Sequence, residues 1–390
     1  MQTSPPPSIS SPAPAATGWS TLTALKRDRF FWVLAGVLAL LTLARPQQVA
    51  RYPSLVDGAT LAALTGLLAL TQALESSGAL RHLGHWLLAR VSSVRVAAWG
   101  LVSAAALLST VLTNDVALFV VVPLTLELCR ITPLPATRLV IFEALAVNVG
   151  SALTPIGNPQ NLFLWQLSGA SFAEFAGHMA PLVAVLFVLL WGLTTLAFRA
   201  VPLVSTQIVD RQGLDRWLLG VALCLYVPFV WAADRGAAAW GCAVVLGVLL
   251  VSRPRVLLRV DWGLLLVFVL MFIDLRLIAE LDIVRAAFNG LGLADPQRLY
   301  ATGIVASQAI SNVPATIALA AYTADWRVLS YAVNVGGFGC AVGSLANLIA
   351  LRMAPDPRAW LRFHLYAVPC LCVAAVVGYV LLFVLRGVGS

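Results

Sequence analysis

The chain alternates between long apolar stretches and short polar loops from residue 26 onwards. Seven apolar stretches approach the ~20 residues that a helix needs to cross the hydrocarbon core of a bilayer. They predict spanning helices over residues 30–44, 58–74, 179–198, 217–232, 237–252, 262–279 and 363–386. Residues 1–25 lack this pattern and are rich in Pro, Ser and Ala, which predicts a disordered tail.

Four further apolar regions are interrupted by residues that a continuous helix does not favour. Residues 96–129 are interrupted at Thr113-Asn114-Asp115, and residues 298–324 are interrupted at Ser311-Asn312. Each of these regions predicts two half-length helices that meet as a re-entrant hairpin. Residues 138–168 and 327–351 contain glycines within apolar sequence, and the first also contains two prolines, so both predict helices broken in mid-membrane. Non-helical backbone at membrane depth is tolerated where it is buried or lines a polar cavity, so the interruptions predict one shared site.

The interruptions fall within a duplicated sequence. Residues 146–150 and 332–336 both read Ala-Val-Asn-Val-Gly, and residues 146–162 match residues 332–348 at eight of seventeen positions. A shorter echo precedes each copy. It comprises Ser109, Thr113 and Asn114 in the first half and Ser307, Ser311 and Asn312 in the second. Duplicated halves with broken helices are typical of secondary transporters. The predicted domains are therefore a first repeat over 26–205 and a second repeat over 206–390.

Composition supports an all-α polytopic membrane protein. Hydrophobic residues make up 60% of the chain and charged residues only 11%, whereas a soluble domain carries roughly 25% charged residues. The net charge of +8 comes from arginines in short loops, so it indicates membrane topology rather than nucleic-acid binding. The six cysteines lie in or beside apolar segments without a CxxC pair, and the four histidines are predicted in loops or at helix ends. Neither a disulfide nor a zinc site is expected.

The distribution of basic residues predicts which side each loop occupies. With a cytoplasmic N-terminus, the inside segments hold 17 basic residues and the outside segments, which include residues 45–57, 233–236 and 276–298, hold 8, in agreement with the positive-inside rule. The first hairpin then enters from the cytoplasm and the second from outside, so the two repeats are inverted. The predicted location is a bacterial-type inner membrane, with the N-terminus cytoplasmic and the C-terminus outside.

Residues at the interruptions are the candidate ligands. Half-helix C-termini offer carbonyl groups to a small cation, and N-termini offer N–H groups to an anion. Asn, Ser and Thr add neutral oxygens and amides, so these residues suit Na⁺ beside a carboxylate or similar oxyanion. The first cluster comprises Ser109, Thr113, Asn114, Asn148 and Gly150, and the second comprises Ser307, Ser311, Asn312, Asn334 and Gly336. Each cluster without its later asparagine (Asn148 or Asn334) forms a predicted Na⁺ site. The alternative is that these small residues only let helices pack closely.

The two halves differ in chemistry as well as in sidedness. Thr154, Asn158, Gln160 and Asn161 form a polar strip after the first break, whereas the second half offers Cys340, Ser344 and Asn347. The substrate site is therefore predicted to be asymmetric, and Thr154, Asn158, Asn161 and Asn347 complete the candidate ligands.

Asp115 is the most specific single candidate for ion or proton binding, because a carboxylate at membrane depth marks an ion or proton pathway. Its counterpart in the second half is Val313. The alternative is that Asp115 caps a helix over residues 116–129. Glu143 suits either a structural buried acid or a cation path. Asp274 and Arg276 favour a structural role near a membrane face, where each needs a different partner because residues two apart on a helix do not face each other.

Two stretches resemble the signature sequences of the citrate-transporter-like, or ion transporter, superfamily. They are residues 108–118 (Leu-Ser-Thr-Val-Leu-Thr-Asn-Asp-Val-Ala-Leu) and residues 148–161 around Asn148 and Gly157. The superfamily includes sodium/dicarboxylate symporters, arsenite permeases and a class of sodium/proton antiporters. The chain is most similar to small permeases of bacterial inner membranes. The resemblance implies inverted repeats, a transport domain that moves against a scaffold, and often a homodimer.

The hairpin tips depart from the dicarboxylate branch, in which both tips read Ser-Asn-Thr and hold sodium. Here the third position is Asp115 in one tip and Val313 in the other. A carboxylate should repel a dicarboxylate dianion unless a cation or proton neutralises it.

Three readings of function remain open at this point. The first is Na⁺- or H⁺-coupled secondary transport of a small anion, with organic acids as one class. The second is a Na⁺/H⁺ antiporter or an arsenite-type metalloid efflux permease. The third is a membrane protein that does not transport, such as a sensor. No Walker loop, nucleophile elbow or HExxH motif is present, so the chain is predicted not to be an enzyme and to need no cofactor beyond its coupling ion.

Overall fold

Apolar helices form nearly all of the computed structural model, which describes residues 29–80, 82, 92–203 and 213–385. No β-strand occurs in these ranges, and the pairing of Ser93 with Pro202 is an isolated bridge. The helices, in chain order, are α1 (Arg29–Ala44), α2 (Tyr52–Leu55), α3 (Gly58–Ser76), α4 (Val94–Val111), α5 (Asn114–Ile131), α6 (Ala136–Ser151), α7 (Pro159–Ser168), α8 (Phe172–Ala197), α9 (Arg216–Asp234), α10 (Ala238–Ser252), α11 (Pro254–Leu257), α12 (Trp262–Ala279), α13 (Asp282–Gly290), α14 (Pro296–Ile310), α15 (Asn312–Ala320), α16 (Trp326–Gly336), α17 (Leu345–Met353) and α18 (Ala359–Tyr379). Short 3₁₀ helices occupy Pro46–Arg51 and Ala341–Gly343, and a π-helical segment, Val380–Leu385, continues α18.

The seven predicted spans are confirmed as helices α1, α3, α8, α9, α10, α12 and α18. Six helices in the described ranges are long and apolar enough to cross a membrane, namely α3, α4, α8, α9, α12 and α18 with its continuation. Helix α1 and the segment after it are bent by 119° and count as a seventh span if taken together. The protein is therefore an all-α polytopic membrane protein.

Two helices begin earlier than the apolar pattern predicts. Helix α8 begins at Phe172 because the Ser171 hydroxyl accepts a hydrogen bond from the Glu174 N–H at 3.1 Å and caps its N-terminus. The polar side chains of Glu174 and His178 in the first turns lower the local hydropathy, so the apolar pattern alone places the start of the helix later. Consequently His178 lies inside a helix rather than in a loop, and His364 likewise lies inside α18.

The hairpins and broken spans are present, with one difference in length. In the first hairpin, α4 and α5 have 18 residues each, about 27 Å at 1.5 Å per residue, so the prediction of half-length helices is wrong there. In the second hairpin, α14 and α15 have 15 and 9 residues. The first broken span consists of α6 and α7, and the second consists of α16 and α17. Asn148 and Asn334 fall in the last helical turn before each break.

The same packing pattern occurs in both halves. The first helix of each hairpin packs against the first piece of its own broken span, α4 against α6 and α14 against α16. The second helix of each hairpin also packs against its own broken span, and in addition it contacts the other half, α5 against α17 and α15 against α7. These matched contacts between the halves are what a two-fold relation between the repeats produces. The domain boundaries near residues 25 and 205, and the predicted disordered tail, lie outside the described residues.

Glycines allow the closest of these contacts. A Cβ added at Gly150 would overlap the backbone carbonyl oxygen of Ala106 on α4, and a Cβ at Gly336 would overlap the side chain of Ser307 on α14. Gly150 and Gly336 occupy equivalent positions of the duplicated sequence. The hairpin therefore approaches each broken span at a point that has no room for a side chain.

We expect Gly150→Ala to destabilise the protein by about 1–3 kcal/mol or more, because the Ala106 backbone cannot move aside. The thermal unfolding midpoint in detergent measures the effect. Gly177→Ala on α8 is the matched control, because no atom lies within 4 Å of its added Cβ. Its midpoint should stay the same or rise slightly. Equal midpoints for the two variants would contradict the close approach.

Candidate functional site

Asparagines from the two broken spans bond to one another across the centre of the protein. The Asn148 Nδ2 donates to the Asn347 Oδ1 at 2.8 Å, and the Asn334 Nδ2 donates to the Asn161 Oδ1 at 2.6 Å. Asn148 is equivalent to Asn334 in the duplicated sequence, and Asn161 is equivalent to Asn347. The bond from the first half to the second and the bond from the second half to the first therefore join equivalent residues. We call these four residues the asparagine clasp.

The clasp also satisfies the carbonyl groups that end the helices before each break. The Asn161 Nδ2 donates to the carbonyls of Ser151, Ala152 and Thr154, each at 3.2 Å. Helix C-termini leave such carbonyls without an intrahelical partner, and no water is available inside a membrane to bind them.

The second half repeats the arrangement. The Asn347 Nδ2 donates to the carbonyls of Gly337 at 2.9 Å and Cys340 at 3.5 Å, the positions equivalent to Ser151 and Thr154. Both breaks are therefore capped by an amide from the second piece of the same span.

The start of α7 shows why the chain resumes its helix after the first break. Asn158 is the N-cap residue, its Oδ1 accepts from the Asn161 N–H at 2.8 Å, and Pro159 fills the first helical position. The Asn158 Nδ2 also donates to the Asn334 Oδ1 at 3.0 Å. Its counterpart Ser344 makes no such bond, and its buried hydroxyl has no partner within the described residues. The predicted asymmetry between the two breaks is thus visible in their capping.

Serines of the hairpins pack against the ends of the broken spans. The Ser109 hydroxyl donates to the Ala106 carbonyl at 2.9 Å, and the Ser307 hydroxyl donates to the Gly303 carbonyl at 2.7 Å. Both serines are fully buried beside the glycines described above. The Thr154 hydroxyl donates to the Thr110 carbonyl at 2.5 Å and joins the first break to the first hairpin.

Sequence reasoning missed Gln308, which holds the second break. The Gln308 Nε2 donates to the Gly336 carbonyl at 2.5 Å, and its Oε1 accepts from the Cys340 N–H at 2.6 Å. The available signal was a carboxamide inside an apolar hairpin helix next to Ser307. His364 was also missed, and its Nε2 accepts from the Ala341 N–H at 3.2 Å. Both side chains support the break without being part of the duplicated sequence.

The hairpin tips carry polar groups that are not used within the protein. The hydroxyls of Thr113 and Ser311, the Asn114 Nδ2 and the side-chain amide of Asn312 have no hydrogen-bond partner among the described residues. Thr113, Asn114 and Asn312 are buried as residues, yet these polar atoms are not among the fully buried ones without a partner, so they keep some accessible surface. The first tip is held in place by the Asn114 N–H, which donates to the Gly157 carbonyl at 2.8 Å. The tips, rather than the clasp, therefore offer groups to a ligand.

Asp115 lies in the first turn of α5 and is not its cap. The helix begins at Asn114, so the alternative in which Asp115 opens a helix over residues 116–129 is wrong. Its buried Oδ1 has no hydrogen-bond partner in the described part of the chain, and the negative charge of Asp261 acts on it electrostatically. An uncompensated carboxylate at this depth is costly, which is the pattern of a group that binds a cation or proton.

Two more acidic side chains are fully buried. The Glu143 Oε1 accepts from the Thr125 hydroxyl on α5, while its Oε2 has no partner in the described ranges. Neither oxygen of Asp274 has one either, whereas Arg276 lies 4.0 Å from the Asp57 carboxylate. Arg276 thus has a partner other than Asp274, as expected, whereas Asp274 has no hydrogen-bond partner within the described residues.

The described residues contain no group of three or more His, Cys, Asp or Glu side chains placed to bind a metal. The six cysteines are free thiols. The ligand-binding chemistry of the site is therefore that of neutral amides and hydroxyls together with one carboxylate.

The family model described as citrate transporter matches residues 21–327. The chain belongs to the citrate transporter family. It is 46% identical over 364 residues to the inner membrane protein YbiR of Escherichia coli, which covers 93% of this chain and 98% of that protein. It is 31% identical over 346 residues to the uncharacterized transporter MJ0456 of Methanocaldococcus jannaschii, covering 85% of this chain and 91% of that protein.

A shorter match is to the silicon efflux transporter LSI3 of Oryza sativa subsp. japonica, at 37% identity over 108 residues, or 28% of this chain and 22% of that protein. The family resemblance read from the two signature stretches is thus confirmed, and the protein is a multi-pass membrane transporter of the inner-membrane type.

We expect the two members of a clasp bond to be energetically coupled. Asn148→Ala and Asn347→Ala each leave a buried partner unpaired, so the double variant should lose less stability than the sum of the single variants. The coupling should be about 0.5–3 kcal/mol in a thermal or denaturant double-mutant cycle. The control cycle combines Asn148→Ala with Arg253→Ala, which belongs to a separate loop ion pair, and should be additive. Additivity in both cycles would refute the clasp.

The backbone of Ser311 is strained, with φ 72° and ψ 154°, a region that glycine occupies freely. We expect Ser311→Gly to stabilise the protein by about 1–3 kcal/mol. The equivalent Thr113 has φ −66°, so Thr113→Gly should instead destabilise it. Thermal midpoints of the two variants in the same detergent test this opposition. A loss of stability in both would contradict the strain at the second tip.

Proposed function

We propose that the protein is a secondary active transporter that moves a small anion, with organic acids as one class, by alternating access coupled to Na⁺ or H⁺. The observation that carries the proposal is the set of unpartnered polar groups at the two hairpin tips. Asn114 and Asn312 carry amide groups next to the N-termini of α5 and α15, where N–H groups and the helix dipole favour an anion.

The coupling cation is proposed to bind beside the anion at the same tips. Thr113 and Ser311 contribute hydroxyl oxygens that have no other described partner, and oxygen ligands suit a hard cation. The predicted contributions of Ser109, Ser307, Gly150 and Gly336 to Na⁺ sites remain predictions. The hydroxyl groups of Ser109 and Ser307 already donate their hydrogens to backbone carbonyls. Each would therefore bind a cation through the lone pairs of its hydroxyl oxygen.

The proposed orientation has the N-terminus in the cytoplasm and the C-terminus outside, with the two repeats inverted. The orientation is supported by the positive-inside count, and the relation between the repeats is supported by the matched contacts that each hairpin makes with the other half. A homodimer is part of the proposal on the basis of the family resemblance. No cofactor beyond the coupling ion is proposed.

The deciding experiment is transport by the purified protein in proteoliposomes. Labelled citrate and a panel of other organic and inorganic anions are offered under an inward Na⁺ gradient, an inward H⁺ gradient or neither. The proposal expects at least one anion to accumulate above its equilibrium level only when one of the gradients is imposed. Accumulation that is identical without any gradient would contradict secondary active transport.

The alternative function is Na⁺/H⁺ antiport or efflux of a metalloid. The unpartnered carboxylate of Asp115 favours it, because a negative charge at a tip disfavours a dianion unless a cation or proton neutralises it. The match to a silicon efflux transporter over part of the chain points the same way. If Na⁺ and pH gradients dissipate each other through the protein when no transported anion is present, antiport replaces the first proposal.

We expect Asp115→Asn to abolish the dependence of transport on the ion gradient while the protein remains folded, because the amide can neither bind a proton nor balance a cation. Gradient-driven uptake in proteoliposomes should fall by at least tenfold. Glu127→Gln is the matched control, since Glu127 is an exposed acid on the same helix and its loss should leave uptake unchanged. Unchanged coupling in Asp115→Asn would reduce Asp115 to a structural residue.

A further inference from the structure

A cavity of about 370 Å³ lies away from the asparagine clasp, where α7, α12 and α15 end. Its apolar wall includes Phe163 and Leu167 from α7 and Ile317 from α15. Its polar wall includes Arg276 from α12, Arg285 from α13 and Glu280 between them. A volume of a few hundred Å³ is within the range of cavities that bind small molecules.

The cavity is aligned with the hairpin tip by two helices that it shares with the site. Helix α7 begins beside the clasp and reaches the cavity at Leu167, six residues after Asn161, which is about 9 Å along the helix axis. Helix α15 begins at the tip residue Asn312 and reaches the cavity at Ile317, about 8 Å along its axis. A molecule in the cavity is thus one to two helical turns from the unpartnered groups of the second tip.

The ionic groups in the cavity wall leave positive charge without a partner. The Glu280 carboxylate is already engaged by Arg51, whose two terminal nitrogens donate to it at 2.9 and 3.1 Å. Arg276 lies 4.0 Å from the Asp57 carboxylate and 5.8 Å from the centre of the Phe272 ring, so its charge is only weakly compensated. Arg285 makes no ion pair within the described residues and acts electrostatically on the phenol of Tyr322. An anion is therefore the ligand whose charge this wall complements.

We propose that this cavity is an anion-capture vestibule that draws a small organic anion against the apolar wall before it reaches the hairpin tips. Arg276 and Arg285 attract the anionic group, and Phe163, Leu167 and Ile317 contact its carbon chain. Residues 45–57 and 276–298, which contribute Leu55, Arg276, Glu280 and Arg285, are predicted outside, so the vestibule opens to the outer face. Its role in transport rests on the function proposed above, whereas its anion selectivity does not.

Charged thiol reagents test the vestibule directly. Ala321 is exposed and lies in the cavity wall, so Ala321→Cys places a thiol there, and the parent protein gives the background from the native cysteines. The two probes are 2-sulfonatoethyl methanethiosulfonate, an anion, and 2-(trimethylammonium)ethyl methanethiosulfonate, a cation of similar size. The second-order rates of both are measured on the full chain in intact cells and in detergent at about 10 mM salt, where screening is weak.

The expected result is a high ratio of anionic to cationic rate that falls about threefold or more when Arg285→Gln or Arg276→Gln is added. Arg285→Lys should preserve the ratio because it keeps the charge. Arg235→Gln is the matched control, because Arg235 lies in the α9–α10 loop, is also predicted outside and does not line the cavity. The unreactive anion propane-1-sulfonate should slow labelling by the anionic reagent, and this protection should be lost in Arg285→Gln.

Three results would overturn the proposal. They are a ratio unchanged by both arginine variants, a thiol that neither reagent labels, and labelling in detergent but not from outside intact cells. Thermal unfolding and size-exclusion profiles show that each variant is folded before its rates are compared. Failure of anion transport in proteoliposomes would leave these rates unaffected, so the two proposals fail separately.

Discussion

Backbone polar groups at two helix breaks must find partners without water, and the centre of this protein is arranged to provide them. The amides of Asn161 and Asn347 cap the carbonyls that end α6 and α16. The same two asparagines accept hydrogen bonds from Asn334 and Asn148 of the opposite half. Each break is completed partly by its own span and partly by the other repeat, so each repeat stabilises the break of the other.

The sequence was most informative where composition and backbone chemistry agree. Apolar runs predicted the spanning helices, and proline and glycine predicted the breaks, because both effects act locally along the chain. Helix starts were less accurate where polar side chains occupy the first turns, as in α8 with Glu174 and His178. The lengths of α4 and α5 were also underestimated. These two helices were expected to be half-length because the apolar region 96–129 is interrupted at Thr113-Asn114-Asp115, whereas each has 18 residues.

The duplication identified the residues that meet but not what each one does there. Asn148, Asn161, Asn334 and Asn347 were candidate ligands, yet their amides bind one another and the break carbonyls. Among the predicted ligands, the side-chain groups without a described partner are at the tips, and only the three-dimensional hydrogen bonding separates the two classes. Gln308 and His364 escaped notice because each acts through a contact distant in sequence and has no repeated counterpart. A repeat shows which positions share a structural role. A residue without a repeated counterpart can be assigned a role only from the three-dimensional structure.

The differences between the halves explain how a symmetric frame can serve a directional process. The clasp bonds are the same in both halves, so they favour neither arrangement of the repeats over its mirror. The tips and their supports differ, with Asp115 opposite Val313 and an Asn158 cap opposite the uncapped Ser344. In the proposed transport cycle only the first tip carries an ionisable side chain, Asp115, whose charge a bound cation or proton neutralises. Neutralisation of Asp115 would change the energy of the first tip without changing the clasp bonds. A bound ion shifts the equilibrium between two conformations only when it interacts differently with them, and this difference between the tips provides that. The proposed vestibule lies one to two helical turns from the second tip, so an anion that enters through it first meets the half that carries no such carboxylate.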